Sequence, residues 1–410
     1  MSEPESETQS AVEWLELFFD LVAVAAVAVL TEGLREDPTW AGFGLFAVLY
    51  GAVWLSWVSV VLYANVAGEG TRVRTVVWAM FLLAVMAATA PGHFERRANL
   101  FAVAFLLVRA TAARGSLNTG RLLTSWPLLQ AGGLAVPWVV SLWPPPPWKF
   151  VLWGVALAVD LLVVILRDED DSRWVERFSR DYTERARRTE RAAARGHPRR
   201  EVPEVRVVDV DATHLDERLG LFVIIVLGEA VTQIVVPAAT TVWSWTLVAT
   251  AVLGFVALAG LWWLTFSYGF TAAPHTRVAA LAPRYALPMH LATTFGIACL
   301  AAGLGDMISN PDEPVSAGLR WVMGGGLALH FLVTGAGGWA AGAPTRWLLA
   351  WALPCSVAPV VVAVVGGRLG NWTVTACLLA VVAWMLVYAR VAARVAATGR
   401  EGPASGQPGE

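Results

Sequence analysis

Charge is scarce in this chain. Only 15% of its 410 residues are Asp, Glu, Lys or Arg, whereas 57% are hydrophobic. A soluble domain carries about 25% charged and 45–50% apolar residues, so a water-facing globule is excluded and the bilayer becomes the expected solvent. Cysteine is scarcer still. Cys299, Cys355 and Cys377 lie far apart in apolar runs, with no CxxC or Cys/His cluster, so they read as small packing residues rather than a disulfide framework or zinc site. The first ten residues are acidic and lack the basic stretch of a secretory signal; the first apolar run is therefore expected to be a retained membrane helix. GxSxG, a P-loop, HExxH and a Gly-rich dinucleotide fingerprint are all missing. No cofactor, metal or enzyme chemistry is indicated. A membrane-embedded enzyme would need His214, Asp216 and Glu217 to converge with a second polar cluster.

What is present is a series of long apolar runs. A transmembrane helix needs about 20 mostly apolar residues. Six such runs precede a charged stretch, at 12–33, 40–64, 75–91, 98–114, 122–142 and 148–166; six more follow, at 214–236, 242–268, 284–304, 317–340, 346–366 and 371–396. The fold class expected is an all-α polytopic membrane protein of about twelve spans. Its organisation reads as a tail over 1–11, a six-helix half over 12–166, a loop over 167–213, a second half over 214–396 and a disordered tail over 397–410. The 21 tryptophans suit many water–lipid interfaces. Pro144–Pro147 should form a stiff turn, and Pro127, Pro137, Pro354 and Pro359 should kink the fifth and eleventh spans.

With twelve spans, both termini and the central loop share a side. That side carries 22 Lys and Arg against 5 on the other, and still 10 against 5 without the central loop, so the positive-inside rule places both termini in the cytoplasm. The stretch 167–211 holds twelve Arg and twelve acids, and this balance lacks the net positive charge that nucleic acid binding requires. Trp174, Phe178 and Tyr182 recur every fourth residue there, the spacing of an amphipathic surface helix.

The halves read as a duplication. Trp54-Leu55-Ser56-Trp57 is matched 209 residues later by Trp263-Leu264-Thr265-Phe266, and Met80 meets Met289 at the same offset. Glu16 and Glu217 each open an aromatic-apolar run in the first and seventh spans. Six helices per half make the repeats parallel, related by an axis along the membrane normal. Gly324-Gly325-Gly326 and the pair Gly338 and Gly342 should allow close helix approach.

Ionisable residues inside the spans carry the functional signal, because a charge at the bilayer centre costs about 2.5–3.5 kcal/mol on insertion scales. At 100° per residue Glu13, Glu16 and Asp20 fall within about 60° on one helical face. His214, Asp216, Glu217 and Arg218 crowd the start of the seventh span; Glu229 lies about 18 Å further along, with Gln233 one turn beyond. Arg109, Asp160, His290 and His330 complete the set, with Asp306 at a helix end. Two readings follow. In one, Glu16, Asp20, Asp160, Glu229 and Gln233 line a path for a cation or proton. In the other, Glu16, Asp20, Glu217, Glu229 and Asp160 are locked by Arg109, Arg218 and helix hydroxyls, with His214 and Glu217 as structural partners at the start of the seventh span, and specify packing. The two histidines in apolar surroundings read as core residues.

Trp14-Leu15-Glu16-Leu17-Phe18-Phe19-Asp20-Leu21-Val22 resembles the first-helix signature of the bacterial low-temperature requirement A (LtrA) family, and His214 to Glu229 resembles its second. Tyr63-Ala64-Asn65 is similar to a third element. Two departures stand out: Phe266-Ser267 occupies the place of an aromatic-Asp pair, and Tyr285 to Pro288 lacks the His that usually precedes Leu-Pro, with His290 beyond it. The resemblance implies a membrane fold and, through the family's name, a link to growth in the cold. The Phe-Phe-Asp also resembles the Phe-Ser-Asp of the lysosomal potassium channel family, which has two six-helix repeats. Together these readings predict an ion- or proton-coupled transporter or channel-like protein. The alternative is a non-transporting scaffold or sensor working through the 167–211 loop.

Overall fold

The computed structural model describes residues 3–68, 71–90, 92, 94–123, 126–130, 132–166, 206–269 and 283–398, with isolated positions between 176 and 195. The Trp174, Phe178 and Tyr182 pattern and the tail 399–410 lie outside the described residues. The helices are α1 (Glu3–Glu36), α2 (Trp40–Ala67), α3 (Val73–Thr89), α4 (Phe94–Thr119), α5 (Pro127–Gln130), α6 (Val136–Val140) and α7 (Trp148–Leu166). They continue with α8 (Ala212–Thr240), α9 (Trp245–Tyr268), α10 (Pro283–Ser309), α11 (Ala317–Ala340), α12 (Thr345–Val365) and α13 (Asn371–Thr398). Two three-residue strands, β1 (Arg121–Leu123) and β2 (Arg206–Val208), pair in parallel.

Among the described residues nine helices are long and apolar enough to cross a membrane: α1, α2, α4, α7, α8, α9, α10, α12 and α13. The protein is thus all-α and largely membrane-spanning. The helix α3 is apolar but shorter, at 17 residues. Exposed tryptophans begin several helices: Trp40, Trp148 and Trp245 are the first residues of α2, α7 and α9. An indole at a helix end suits the headgroup region.

The first helix starts at Glu3, so residues 3–11 are helical. Pro4 in the opening turn and the nearby acids suit a helix N-terminus, where the backbone dipole is positive. The run 122–142 is not one kinked helix. Its described residues form β1, a single turn α5, a non-helical stretch through Gly132 and Gly133, and the short α6. Pro127 opens α5, Pro137 lies in the first turn of α6, and both glycines have positive φ (97° and 60°), a backbone state that ends a helix.

The chain divides into two compact units, one of residues 1–34 and 41–225, the other of 35–40 and 226–410. In the first, α2 is buried on nearly every side, as an all-round apolar helix must be. It meets α7 where Gly51 faces Leu157 and Gly154 faces Val48. Phe105 of α4 stacks on Trp138 of α6 at 3.9 Å, and Trp138 stacks on Trp153 of α7 at 4.9 Å, so the broken fifth element is anchored between its neighbours. Gln130 closes β1 onto α5: its amide donates to the Arg121 carbonyl at 2.8 Å, and its oxygen accepts from the Leu123 amide at 2.9 Å.

In the second unit α10, α11 and α12 form a close-packed row. A Cβ at Gly296 would lie 2.5 Å from the Gly326 carbonyl, and one at Gly324 would lie 2.5 Å from that of Pro359. Both backbones therefore approach through glycine, as predicted for this run. Gly342 behaves otherwise: with φ of 86° and nothing nearby it turns the chain after α11. Pro354 and Pro359 sit inside a continuous α12. The helix α9 meets α13 where a Cβ on Gly260 would lie 2.6 Å from Val382 Cγ1. Gly260 lies 209 residues after Gly51, so each unit joins its second long helix to its last through a glycine at the same offset.

Candidate functional site

In the first unit, residues of α1, the end of α2 and the start of α8 that carry the family likeness converge. The face of α1 bearing Glu16 and Asp20 turns inward, while Trp14, Phe18 and Leu21 point outward. Asp20 is fully buried, and its Oδ1 accepts from Arg218 Nη2 at 2.6 Å and from Trp57 Nε1 at 2.7 Å. Arg218 reaches α1 twice more, donating to the Glu16 carbonyl at 2.6 Å and lying 3.7 Å from Glu16 Oε2. His214, one turn before Arg218 on α8, brings Nε2 to 3.1 Å from the same Glu16 oxygen.

Asn65 at the end of α2 completes the assembly. Its amide donates to the Asp211 carbonyl at 2.9 Å, its oxygen accepts from the Asp211 amide at 3.0 Å, and it lies 3.4 Å from His214 Nδ1. Asp211 Oδ1 in turn accepts from the His214 amide at 3.1 Å, fixing the start of α8. Side-chain exposure falls along this row, from 30% at His214 to 10% at Glu16 and 0% at Asp20. Asp20 Oδ2 is buried with no hydrogen-bond partner among the described residues. Packing holds the frame, since the Trp57 ring sits 4.3 Å from that of Phe222 on α8.

Asp216 and Glu217 do not join this cluster and are exposed. His214 and Arg218 are four residues apart and share a helical face; Glu217 is about 100° away from Arg218, so it cannot act as a partner there. Glu13 has its side chain outside the described residues.

Arg109 of α4 and Asp160 of α7 form a second buried pair, 3.4 Å apart and 3% and 2% exposed. Their hydrogen bonds run to the broken fifth element: Arg109 Nε donates to the Gly132 carbonyl at 2.9 Å, and Asp160 Oδ1 accepts from the Leu134 amide at 2.9 Å. Unwound backbone is tolerated at membrane depth only where protein groups or a cavity satisfy it, and this ion pair does so. Gly133 is needed for the fit, because a Cβ there would collide with Arg109 Nη2 and Asp160 Oδ2.

In the second unit Gln233 Nε2 donates to Glu229 Oε1 at 2.8 Å. A Cβ on Gly305 would lie 3.0 Å from Gln233 Oε1 and 3.3 Å from Arg35 Nη1, so Arg35 reaches the surroundings of Gln233. Asp306, at the end of α10, accepts from Asn310 at 3.2 Å. His330 is buried with Nδ1 3.3 Å from the Thr293 carbonyl, and His290 is fully buried.

Three residues escaped the sequence reading as members of this chemistry. Trp57 was visible only as part of a repeated motif, and Asn65 only within the Tyr-Ala-Asn likeness. Arg35 carried no signal beyond its place after an apolar run.

A bundle of long apolar helices with ion pairs buried among them defines a multi-pass membrane protein. The chain belongs to the bacterial low temperature requirement A protein (LtrA) family, whose model matches residues 11–393. It is also similar to an uncharacterized protein of Rhizobium meliloti (strain 1021), 30% identical over 244 residues, which are 56% of this chain and 52% of that protein. The chain thus spans about half the length of the curated relative it matches. No solved structure matches it.

Proposed function

We propose that this LtrA-family protein couples the movement of a proton or another small cation to transport across the membrane, with Asp20 as the buried acceptor. The observation that carries this reading is the graded row from partly exposed His214 through Glu16 to fully buried Asp20, which ends in a carboxylate oxygen without a hydrogen-bond partner among the described residues. Intramembrane acids that face a bundle interior are the usual stations of ion and proton pathways. A cation arriving at His214 meets Glu16 first, then Asp20 one turn deeper, about 6 Å along the helix.

Neutralising Asp20 removes the charge that holds Arg218. The tie between α1 and α8 is then loosened and rests on the contacts of Arg218 and His214 with Glu16. The reading includes twelve crossings in two parallel six-helix repeats with both termini cytoplasmic. It is supported by the matched glycine contacts at Gly51 and Gly260 and by the distribution of arginines. Within the second repeat Glu229 and Gln233 supply the matching polar station.

The test is flux in proteoliposomes under proton, sodium and potassium gradients, read by a pH dye and by membrane current. Wild type should move at least one of these ions, and Asp20→Asn should abolish the flux while the variant remains folded. An unchanged flux in folded Asp20→Asn refutes the role of this carboxylate. Glu229→Gln tests whether the second half takes part.

A further inference from the structure

Beside the ends of α2 and α4 the first unit holds an open cleft of about 590 Å³. Tyr63 forms one wall, Asn118 and Thr119 another, and Arg72 and Arg121 stand at its sides. The helix α2 has 28 residues, about 42 Å at 1.5 Å per residue, so its ends pass the roughly 30 Å hydrocarbon core and reach headgroup level.

The lining is rich in donors. Arg121 spends Nη1 on the Val66 carbonyl at 3.0 Å, which among the described residues leaves the other edge of its guanidinium fork for a ligand. Tyr63 is almost fully buried; its hydroxyl accepts from the Arg72 amide at 2.9 Å and keeps its own proton to donate. Gly115 makes room for that ring, since a Cβ there would lie 2.6 Å from Tyr63 Cε2. No Asp or Glu is among the described residues that line the cleft.

Two helix C-termini meet here, each worth roughly −0.5 charge, against about +0.5 from the start of α3. Among the described lining residues two arginines outweigh them and leave a balance of roughly +1.5. We infer that this cleft binds a phosphate-bearing group, held by the Arg72 and Arg121 guanidinium groups and oriented by the Tyr63 hydroxyl. Guanidinium forks suit phosphate oxygens, and the volume admits a whole headgroup rather than a bare ion. The group arrives either on an anionic phospholipid or as a soluble organic phosphate.

The experiment is native mass spectrometry of the detergent-purified full chain with phosphatidylglycerol, with a diacylglycerol of the same chains, and with glycerol phosphate as competitor. Phosphatidylglycerol should be retained and diacylglycerol should not. The Arg72→Gln, Arg121→Gln double variant should weaken retention by about tenfold or more, and the paired Lys variant should keep part of it. Displacement by millimolar glycerol phosphate assigns the site to soluble phosphates; retention despite it assigns the site to the lipid. Either result supports the inference. Equal retention of diacylglycerol, wild-type binding by the double Gln variant, or an equal loss in Arg346→Gln, an exposed arginine in the first turn of α12 in the second unit, overturns it. Should the double variant not fold, Asn118→Leu, which narrows the cleft without changing charge, must reduce retention for the inference to stand.

Discussion

Removing Arg218 should damage this protein more than removing both partners of its ion pair. In Arg218→Gln, Asp20 loses its 2.6 Å contact and keeps only the Trp57 indole at 2.7 Å, while Glu16 loses the guanidinium on its backbone and side chain. Breaking a buried pair from one side costs about 3–5 kcal/mol, because the remaining charge is left desolvated. Replacing both members with neutral groups of similar volume is often close to neutral. Adding Asp20→Asn to Arg218→Gln should therefore restore part of the loss, about 2–3 kcal/mol on the same scale. Restoration stays partial because Glu16 still lacks its arginine. The readout is the order of melting temperatures in detergent, by fluorescence-detected size exclusion, since a chain of two compact units has no single unfolding free energy. Wild type should melt highest, the double variant next and Arg218→Gln lowest. A double variant no more stable than Arg218→Gln would show that the Asp20 charge is not what Arg218 compensates.

Three further outcomes are expected. Gly133→Ala should abolish monodisperse protein, as it adds a collision with the Arg109–Asp160 pair to a left-handed backbone penalty of about 1–2 kcal/mol, measurable by size-exclusion profile. Gly296→Ala should push α10 from α11 and lower the melting temperature by an amount equivalent to about 1–3 kcal/mol, whereas Gly325→Ala, with open space around it, should change little. Asn371 donates to the Asn310 and Glu313 carbonyls at 3.0 Å and accepts from the Val315 amide at 3.1 Å. Asn371→Ala should cost about 1–3 kcal/mol and speed hydrogen exchange through 310–316.

The long helices were legible because a bilayer imposes length and apolarity on every crossing, and both are local properties of the sequence. The inward face of α1 was legible for a similar reason, since Glu16 and Asp20 repeat at helical spacing. Which cation each acid meets was not. Arg218 lies 198 residues from Asp20, and no local period links them. The break in the fifth element was half visible: Pro127, Gly132, Gly133 and Pro137 all disfavour a helix. Their spacing alone fits either a kinked span or an unwound one; the decision lies in Arg109 and Asp160, which take up the freed backbone groups from two other helices. Glu217 misled because its likeness to Glu16 is one of sequence, whereas its helical face turns away from α1.

The unwound stretch around Gly132 also bears on biogenesis. A segment that leaves the ribosome with an unpaired Gly132 carbonyl and Leu134 amide has no stable place of its own in lipid. Its carbonyl partner, on α4, is synthesised before it, but its carboxylate partner, on α7, comes 26 residues after Leu134. Insertion of this element therefore has to wait for α7, so the first unit closes late rather than helix by helix. A chain truncated before Asp160 should stay bound to insertion machinery or be degraded, whereas one extended past Leu166 should pass into the bilayer.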